Sequence, residues 1–185
     1  MTEAKIGLIG KFRVGKDSVA AYASTFYDFA TYAFGDELKR DYHAKNPEVP
    51  RTPKPRAGYQ SHGQAERLLR GVDVWVDEVF RTIESHRWPE RIMITDVRQS
   101  NEVARLKAEG FVLIRITAPD HVRIERAKAA GDSFSAEDLA HSTELAVDDF
   151  EVDYEIVNYG SLVELYEKFD RIAAELGVTK KRLAQ

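Results

Sequence analysis

Residues Gly10-Lys11-Phe12-Arg13-Val14-Gly15-Lys16 set two glycines and a lysine at the spacing G-x-x-x-x-G-K. Glycines at that spacing let consecutive backbone N–H groups curl around phosphate oxygens. A helix opening directly behind them adds positive potential. A lysine at its start acts as a mobile point charge for the β- and γ-phosphates of a nucleoside triphosphate. Gly10, Arg13, Val14, Gly15 and Lys16 are therefore candidate ATP-binding residues, and Lys16 a candidate catalytic one. The next position usually offers a hydroxyl to Mg²⁺. Here it is Asp17, with Ser18 directly after it. A carboxylate is also a hard oxygen ligand, yet it adds negative charge beside a triphosphate. Both residues stand as candidates for metal and nucleotide.

A second constellation is Thr95-Asp96-Val97-Arg98. It ends a strongly apolar run, and ligands of open parallel sheets bind at the C-terminal ends of strands. Asp96 there can order the water shell of Mg²⁺, and Arg98 can clamp a phosphate through two parallel hydrogen bonds. A third feature is a local excess of cations. Lys39, Arg40, Lys45, Arg51, Lys54, Arg56, Arg67 and Arg70 face only Asp41, Glu48 and Glu66 in the same stretch. That points to an anionic acceptor, although Lys45, Lys54 and Arg56 read individually as solvated surface. Arg123 and Arg126, three apart, share one helix face. The five histidines show no metal-ligand spacing in the sequence.

The elements that must position these residues follow from periodicity. Lys5–Ile9 reads as a buried strand, followed by a helix that carries Val19, Ala20 and Ala23 on one side. Residues 28–34 read as a second strand, and 36–45 as a helix with Asp36 as its N-cap. Four of the six prolines lie between Pro47 and Pro55, so residues 46–63 are predicted as a loop before helical spacing returns. Residues 91–95 and 111–117 are further strands, each leading into a helix that stops at a glycine, Gly110 and Gly131. Pro119 opens the second of these helices. A short strand over residues 154–158 precedes a terminal amphipathic helix with Leu162, Leu165, Tyr166, Phe169 and Ile172 on one face. Strands alternating with helices predict an α/β fold with a parallel sheet of about five strands covered on both sides.

Composition sets the outer limits. The 185 residues suit one domain, with 43% hydrophobic and 31% charged side chains, which is ordinary for a globular protein. A net charge of −4 gives no general attraction to nucleic acid polymers or membranes. The absence of cysteine excludes disulfides and thiolate metal sites and is compatible with a cytoplasmic location. The first residues lack the basic and apolar pattern of a signal peptide, and no apolar run approaches bilayer length.

The loop "GKFRVGKDSVA" resembles the G-x-x-x-S-G-K-D loop of two related P-loop kinases, the deoxynucleoside monophosphate kinase of tailed phages and the animal-type phosphomevalonate kinase. Val14 stands where those loops have Ser. The resemblance continues through "FGDELKRDY", "MITDVRQSNEVARLKAEG" and "HSTELAVDDFEVDYEIVNYGSLVELYEKF". It implies a single P-loop kinase domain over 1–185, an acceptor-binding region over 36–88 and a lid-like region over 119–145. It implies ATP with Mg²⁺, and transfer of the γ-phosphoryl group to a phosphorylated small molecule. The acceptor would be held by Asp36, Lys39, Arg40, Arg67, Arg70 and Arg98. Arg123 would serve ATP, and Arg126 would meet the transferred group. Asn158 and Gly160 resemble the loop that contacts adenine; the same turn also reads as a plain helix start capped by Ser161. A (deoxy)nucleoside monophosphate is the first acceptor, ahead of phosphomevalonate and dephospho-coenzyme A. A P-loop module that only binds nucleotide is the non-enzymatic alternative. The chain would act as a monomer or homodimer.

Overall fold

The structure, a computed structural model, describes residues 2–131 and 146–181. Residues 132–145 of the region predicted as a lid lie outside the described residues, with His141, Ser142 and Glu144 of the C-terminal resemblance among them. The chain divides into two compact units, residues 1–31 with 89–185, and residues 32–88.

The first unit is built on β1 (Ala4–Ile9), α1 (Lys16–Tyr27), β2 (Ala30–Tyr32, at the boundary of the units) and β3 (Arg91–Val97). It continues with α5 (Ser100–Ala108), β4 (Val112–Thr117), α6 (Asp120–Ala129), a 3₁₀ turn (Ala146–Asp148), β5 (Tyr154–Val157) and α7 (Leu162–Glu175). The five strands lie in the order β2-β3-β1-β4-β5. The pairs β1–β3, β1–β4 and β4–β5 are parallel, with Ile6 opposite both Met93 and Val112. This is the predicted α/β class. β1 is central because Ile6, Leu8 and Ile9 are fully buried, so the strand needs cover on both faces.

One face packs Ile6, Leu8, Met93, Ile114 and Ile156 against Val19, Ala23 and Tyr27 of α1 and Leu165, Phe169 and Ile172 of α7. Ser161 caps α7: its Oγ accepts from Glu164 N, and the Glu164 carboxylate accepts from Ser161 N. Leu162 departs from the predicted face and is 56% exposed, because the buried stripe begins one turn later at Leu165. Asp170 joins α1 to α7, accepting hydrogen bonds from Tyr27 Oη at 2.7 Å, Tyr22 Oη at 3.1 Å and Lys180 Nζ at 2.7 Å. Arg91, only 4% exposed, donates to the carbonyls of Thr2, Tyr27 and Thr179.

The second unit consists of α2 (Phe34–Lys45), α3 (Arg56–Arg70) and α4 (Val74–Ser85). Buried Trp75 donates through Nε1 to the Gly63 carbonyl, and a side chain at Gly63 would press on Leu38. Three local expectations are corrected here. The second strand is only three residues long, and Phe34 opens α2 instead of ending it. Asp36 is therefore not a cap: the N-cap is extended Ala33, and Asp36 lies in the first turn, where its charge suits the helix dipole. The predicted loop over 46–63 ends at Pro55, which occupies the cap position of α3, so residues 56–63 are helical. The proline cluster stops where a proline is compatible with a helix start.

Burial acts to raise the Asp170 pKa, but its hydrogen bonds from Lys180, Tyr27 and Tyr22 outweigh that and hold it below the usual carboxylate range. A carboxylate depressed in the folded state adds stability above its unfolded pKa and loses it as pH falls through the folded value. Asp170→Asn should therefore lower stability at pH 7 by on the order of 1 kcal/mol, a modest figure because the side chain is partly solvated. The gap to wild type in urea midpoint should shrink at about pH 3 and below. A gap that stays constant from pH 7 to pH 3 would remove Asp170 as the acid-sensitive tie.

Candidate active site

The loop between β1 and α1 takes its shape from two glycines. Gly10 has φ +150, and a Cβ there would lie 2.3 Å from the Ile116 carbonyl oxygen, a backbone atom that cannot move aside. Gly15 has φ +110, and a Cβ there would meet Asn158 Nδ2 at 2.6 Å. Both positions exclude side chains for conformational and steric reasons together. Val14 is 1% exposed and belongs to the core beneath the loop. Its side chain faces the core, so only the backbone of this position could face a ligand, and an apolar residue fits there.

The carbonyls of the loop are each held by a side-chain donor, one after another. Lys16, 8% exposed, donates Nζ to Gly10 O at 2.6 Å and to Lys11 O at 2.9 Å. Arg123 donates to Phe12 O at 3.1 Å, and Arg126 to Arg13 O at 3.5 Å, the weakest of the set. Asn158 Nδ2 donates to Val14 O at 2.7 Å. A trans peptide is planar, so each carbonyl turned outward turns the next residue's N–H the opposite way. Five braced carbonyls, Gly10 to Val14, therefore set the N–H groups of residues 11 to 15. Successive N–H groups directed to one side, with a helix N-terminus behind them, form an anion cradle.

Arg123 and Asn158 among the supports are themselves buried and paired. Arg123 is 4% exposed and holds Asp120 at 2.7 Å. That hydrogen bond is the main reason why the Asp120 carboxyl lies below its ordinary range, with Lys11 adding attraction. Lys11 pairs with Asp148 at 2.5 Å. For Asp120 and Asp148 the sequence carries one signal, Asp120 three residues before Arg123 at the head of a helix. Asn158 is 3% exposed, its N–H donates to Thr117 O at 2.7 Å, and its Oδ1 accepts from Arg126 at 3.3 Å. The structure thus gives the Asn158 side chain, expected at the adenine, a place against the loop. Gly160 lies in the exposed turn ahead of Ser161, beside Tyr159, which is 68% exposed.

Asp17 is exposed in the first turn of α1, and Ser18 is half-buried beside it. Hard oxygen donors in the first turn of α1 fit Mg²⁺ bound with a triphosphate. Asp17 also lines a pocket of about 420 Å³ with Ala20, Ala21, Ser24, Thr25, Thr31 and Thr95. Asp96 does not end β3, which runs on to Val97. The register between β1 and β3 shifts between Gly7 and Ile9, from Ile94 to Val97. Such a bulge re-aims side chains, here directly around Thr95 and Asp96. Arg98 follows at the strand end, its backbone N–H donating to Glu102 at the start of α5.

In the 32–88 unit the expected acceptor cations have carboxylate neighbours. Lys39 pairs with Asp36 at 2.6 Å, Arg40 with Glu37, and Arg70 with Glu78 at 2.5 Å and Glu66 at 3.4 Å. The excess read between residues 39 and 70 is corrected accordingly, because Asp36, Glu37 and Glu78 lie just outside that window. Arg67 is half-buried on α3. Histidine also enters a cluster that the sequence spacing hid: Asp41, His62 and Glu66 lie close enough to share an ion. Lys45 Nζ already bridges its carboxylates, at 3.0 Å to Asp41 and 2.6 Å to Glu66.

No family model matches the chain, and no curated protein matches it. Solved structures do. Protein TT1252 from Thermus thermophilus superposes with a TM-score of 0.61 at 18% identity, over 95% of this chain and 99% of that one. A sugar kinase from Janibacter gives 0.58 at 15% identity, covering 95% of each chain. Shikimate kinase from Acinetobacter baumannii, solved with shikimate, gives 0.58 at 15% identity, covering 94% of each. No helix among the described residues is long and apolar enough to cross a membrane. The five-stranded parallel sheet in the order 2-3-1-4-5, flanked by helices, is the P-loop kinase fold.

Proposed function

We propose that the chain is an ATP-dependent phosphotransferase acting on a small phosphorylated acceptor, with a (deoxy)nucleoside monophosphate as the first choice. The observation that carries this reading is the loop of Gly10 to Gly15 at the start of α1, whose five consecutive carbonyls are held by hydrogen bonds from Lys16, Arg123, Arg126 and Asn158. Lys16 would stabilise charge on the transferred group, and Asp17, Ser18 and Asp96 would hold Mg²⁺ or its water shell. The metal, when bound with ATP, neutralises β- and γ-phosphate charge. Arg98 and Arg67 would hold the acceptor's phosphate, as planar forks suited to it. Lys39, Arg40 and Arg70, tied to carboxylates, would add positive potential of lesser weight.

One observation favours a second reading. The ion pairs that hold Lys39, Arg40 and Arg70 suit a hydroxyl acceptor, and two solved structures of this fold are named a sugar kinase and a shikimate kinase. A phosphate monoester is already largely a dianion at neutral pH and needs no strong base, whereas a hydroxyl gains from a carboxylate. Asp36, exposed and paired with Lys39, is the candidate for that base.

Lys16→Ala should leave the fold intact and lower turnover of ATP by several orders of magnitude. Activity within about threefold of wild type would end the assignment of the loop. A panel of nucleoside monophosphates, phosphomevalonate, dephospho-coenzyme A and simple polyols, read by ATP consumption, separates the two acceptor classes. With a phosphate acceptor, Asp36→Asn should retain substantial activity. Its abolition with ATP binding unchanged, together with loss of the acidic limb of the pH–rate profile, would select the hydroxyl reading. Arg98→Ala and Arg67→Ala should raise the KM for the acceptor far more than the Kd for ATP. The reverse pattern would mean that these arginines serve the nucleotide.

A further inference from the structure

We infer that Asn158 is a positioning residue for phosphate binding: it fixes the Val14–Gly15 peptide of the loop, and it does not read the nucleotide base. The inference rests on the loop being a triphosphate site, as proposed above. Asn158 follows the edge strand β5, remote in sequence from the loop, yet its side chain is turned wholly toward it. One amide N–H is committed to Val14 O at 2.7 Å, the Oδ1 to Arg126 at 3.3 Å, and the side chain is sealed from solvent at 3% exposure. Its backbone is fixed as well, because its N–H extends the β4–β5 pairing to Thr117 O at 2.7 Å. The glycine at 15 completes the fit, since any Cβ there would strike Asn158 Nδ2 at 2.6 Å.

The effect on a ligand passes through one peptide plane. Holding Val14 O outward turns the Gly15 N–H inward, next to Lys16. Preset N–H donors bind an anion without a further ordering cost, so a lost brace weakens every phosphate chain alike. Arg126 acts in the same frame, bridging Arg13 O and Asn158 Oδ1. It thereby positions the Arg13–Val14 peptide and orients the Asn158 amide, with nitrogen toward the carbonyl.

The test compares ligands with and without a base. Kd values for ATP, GTP and inorganic tripolyphosphate, all with Mg²⁺, are measured by calorimetry on wild type and on Asn158→Asp. The aspartate is nearly isosteric but sets an oxygen against Val14 O. All three ligands should weaken by one common factor, about ten- to hundredfold. Arg126→Gln provides a second variant in case the buried substitution prevents folding, because Arg126 is only half-buried. It should weaken all three ligands by a smaller common factor. Loss of ATP affinity with tripolyphosphate unchanged would place Asn158 on the base and overturn the inference. Unchanged Kd values for all three ligands in both variants would overturn it too. If wild type itself binds neither ATP nor tripolyphosphate, the triphosphate reading of the loop fails first, and that result is separate from any difference between variants.

Discussion

A loop that directs its amide groups toward one point must send its carbonyls elsewhere, and each of those carbonyls needs a donor. Everything around residues 10 to 15 answers that constraint. The P-loop lysine turns back on the first two carbonyls, and α6 supplies two arginines for the next two. The turn after β5 supplies an asparagine for the fifth. The sheet order makes this reachable, because β4 and β5 lie successively beside β1 and deliver α6 and Asn158 to the same end. Arg123 carries a further load: a guanidinium only 4% exposed requires an anion, and Asp120 provides it one turn earlier on the same helix.

Much of this frame was legible in the sequence. Short apolar runs gave the central strands, because a strand buried on both faces cannot alternate polar and apolar residues. The glycine-lysine spacing located the cradle, because backbone conformation at Gly10 and Gly15 is a local property. What stayed hidden was set by tertiary neighbours. Arg123, Arg126 and Asn158 were picked out as residues near a nucleotide, but nothing local shows a side chain turned to a backbone more than a hundred residues away. The bulge near Asp96 was invisible for a related reason, since register is decided between strands and not within one.

The 32–88 unit shows the same limit for charge. A run of cations counted along the chain looked like a receptor for an anion, yet helices bring in carboxylates from outside the counted window. Glu78 on α4 reaches Arg70 on α3, and Glu66 and Asp41 close around Lys45. Linear charge density therefore overstated the field that a ligand would meet there. The proline run misled in the opposite direction. It hid the first two turns of α3, because a proline both ends regular structure and is well tolerated at a helix entrance.

Val14 belongs to two systems at once. Its side chain is counted among the buried core residues under α1 and α7, and its carbonyl is one of the braced oxygens of the cradle. A hydrophobic side chain thus anchors the same residue whose carbonyl is braced. Packing quality in the core and the shape of the loop are then not independent traits. A drift in the volume of Leu165 or Ile116 would be felt in the loop's backbone, and sequence change at the loop is constrained by fit to the interior.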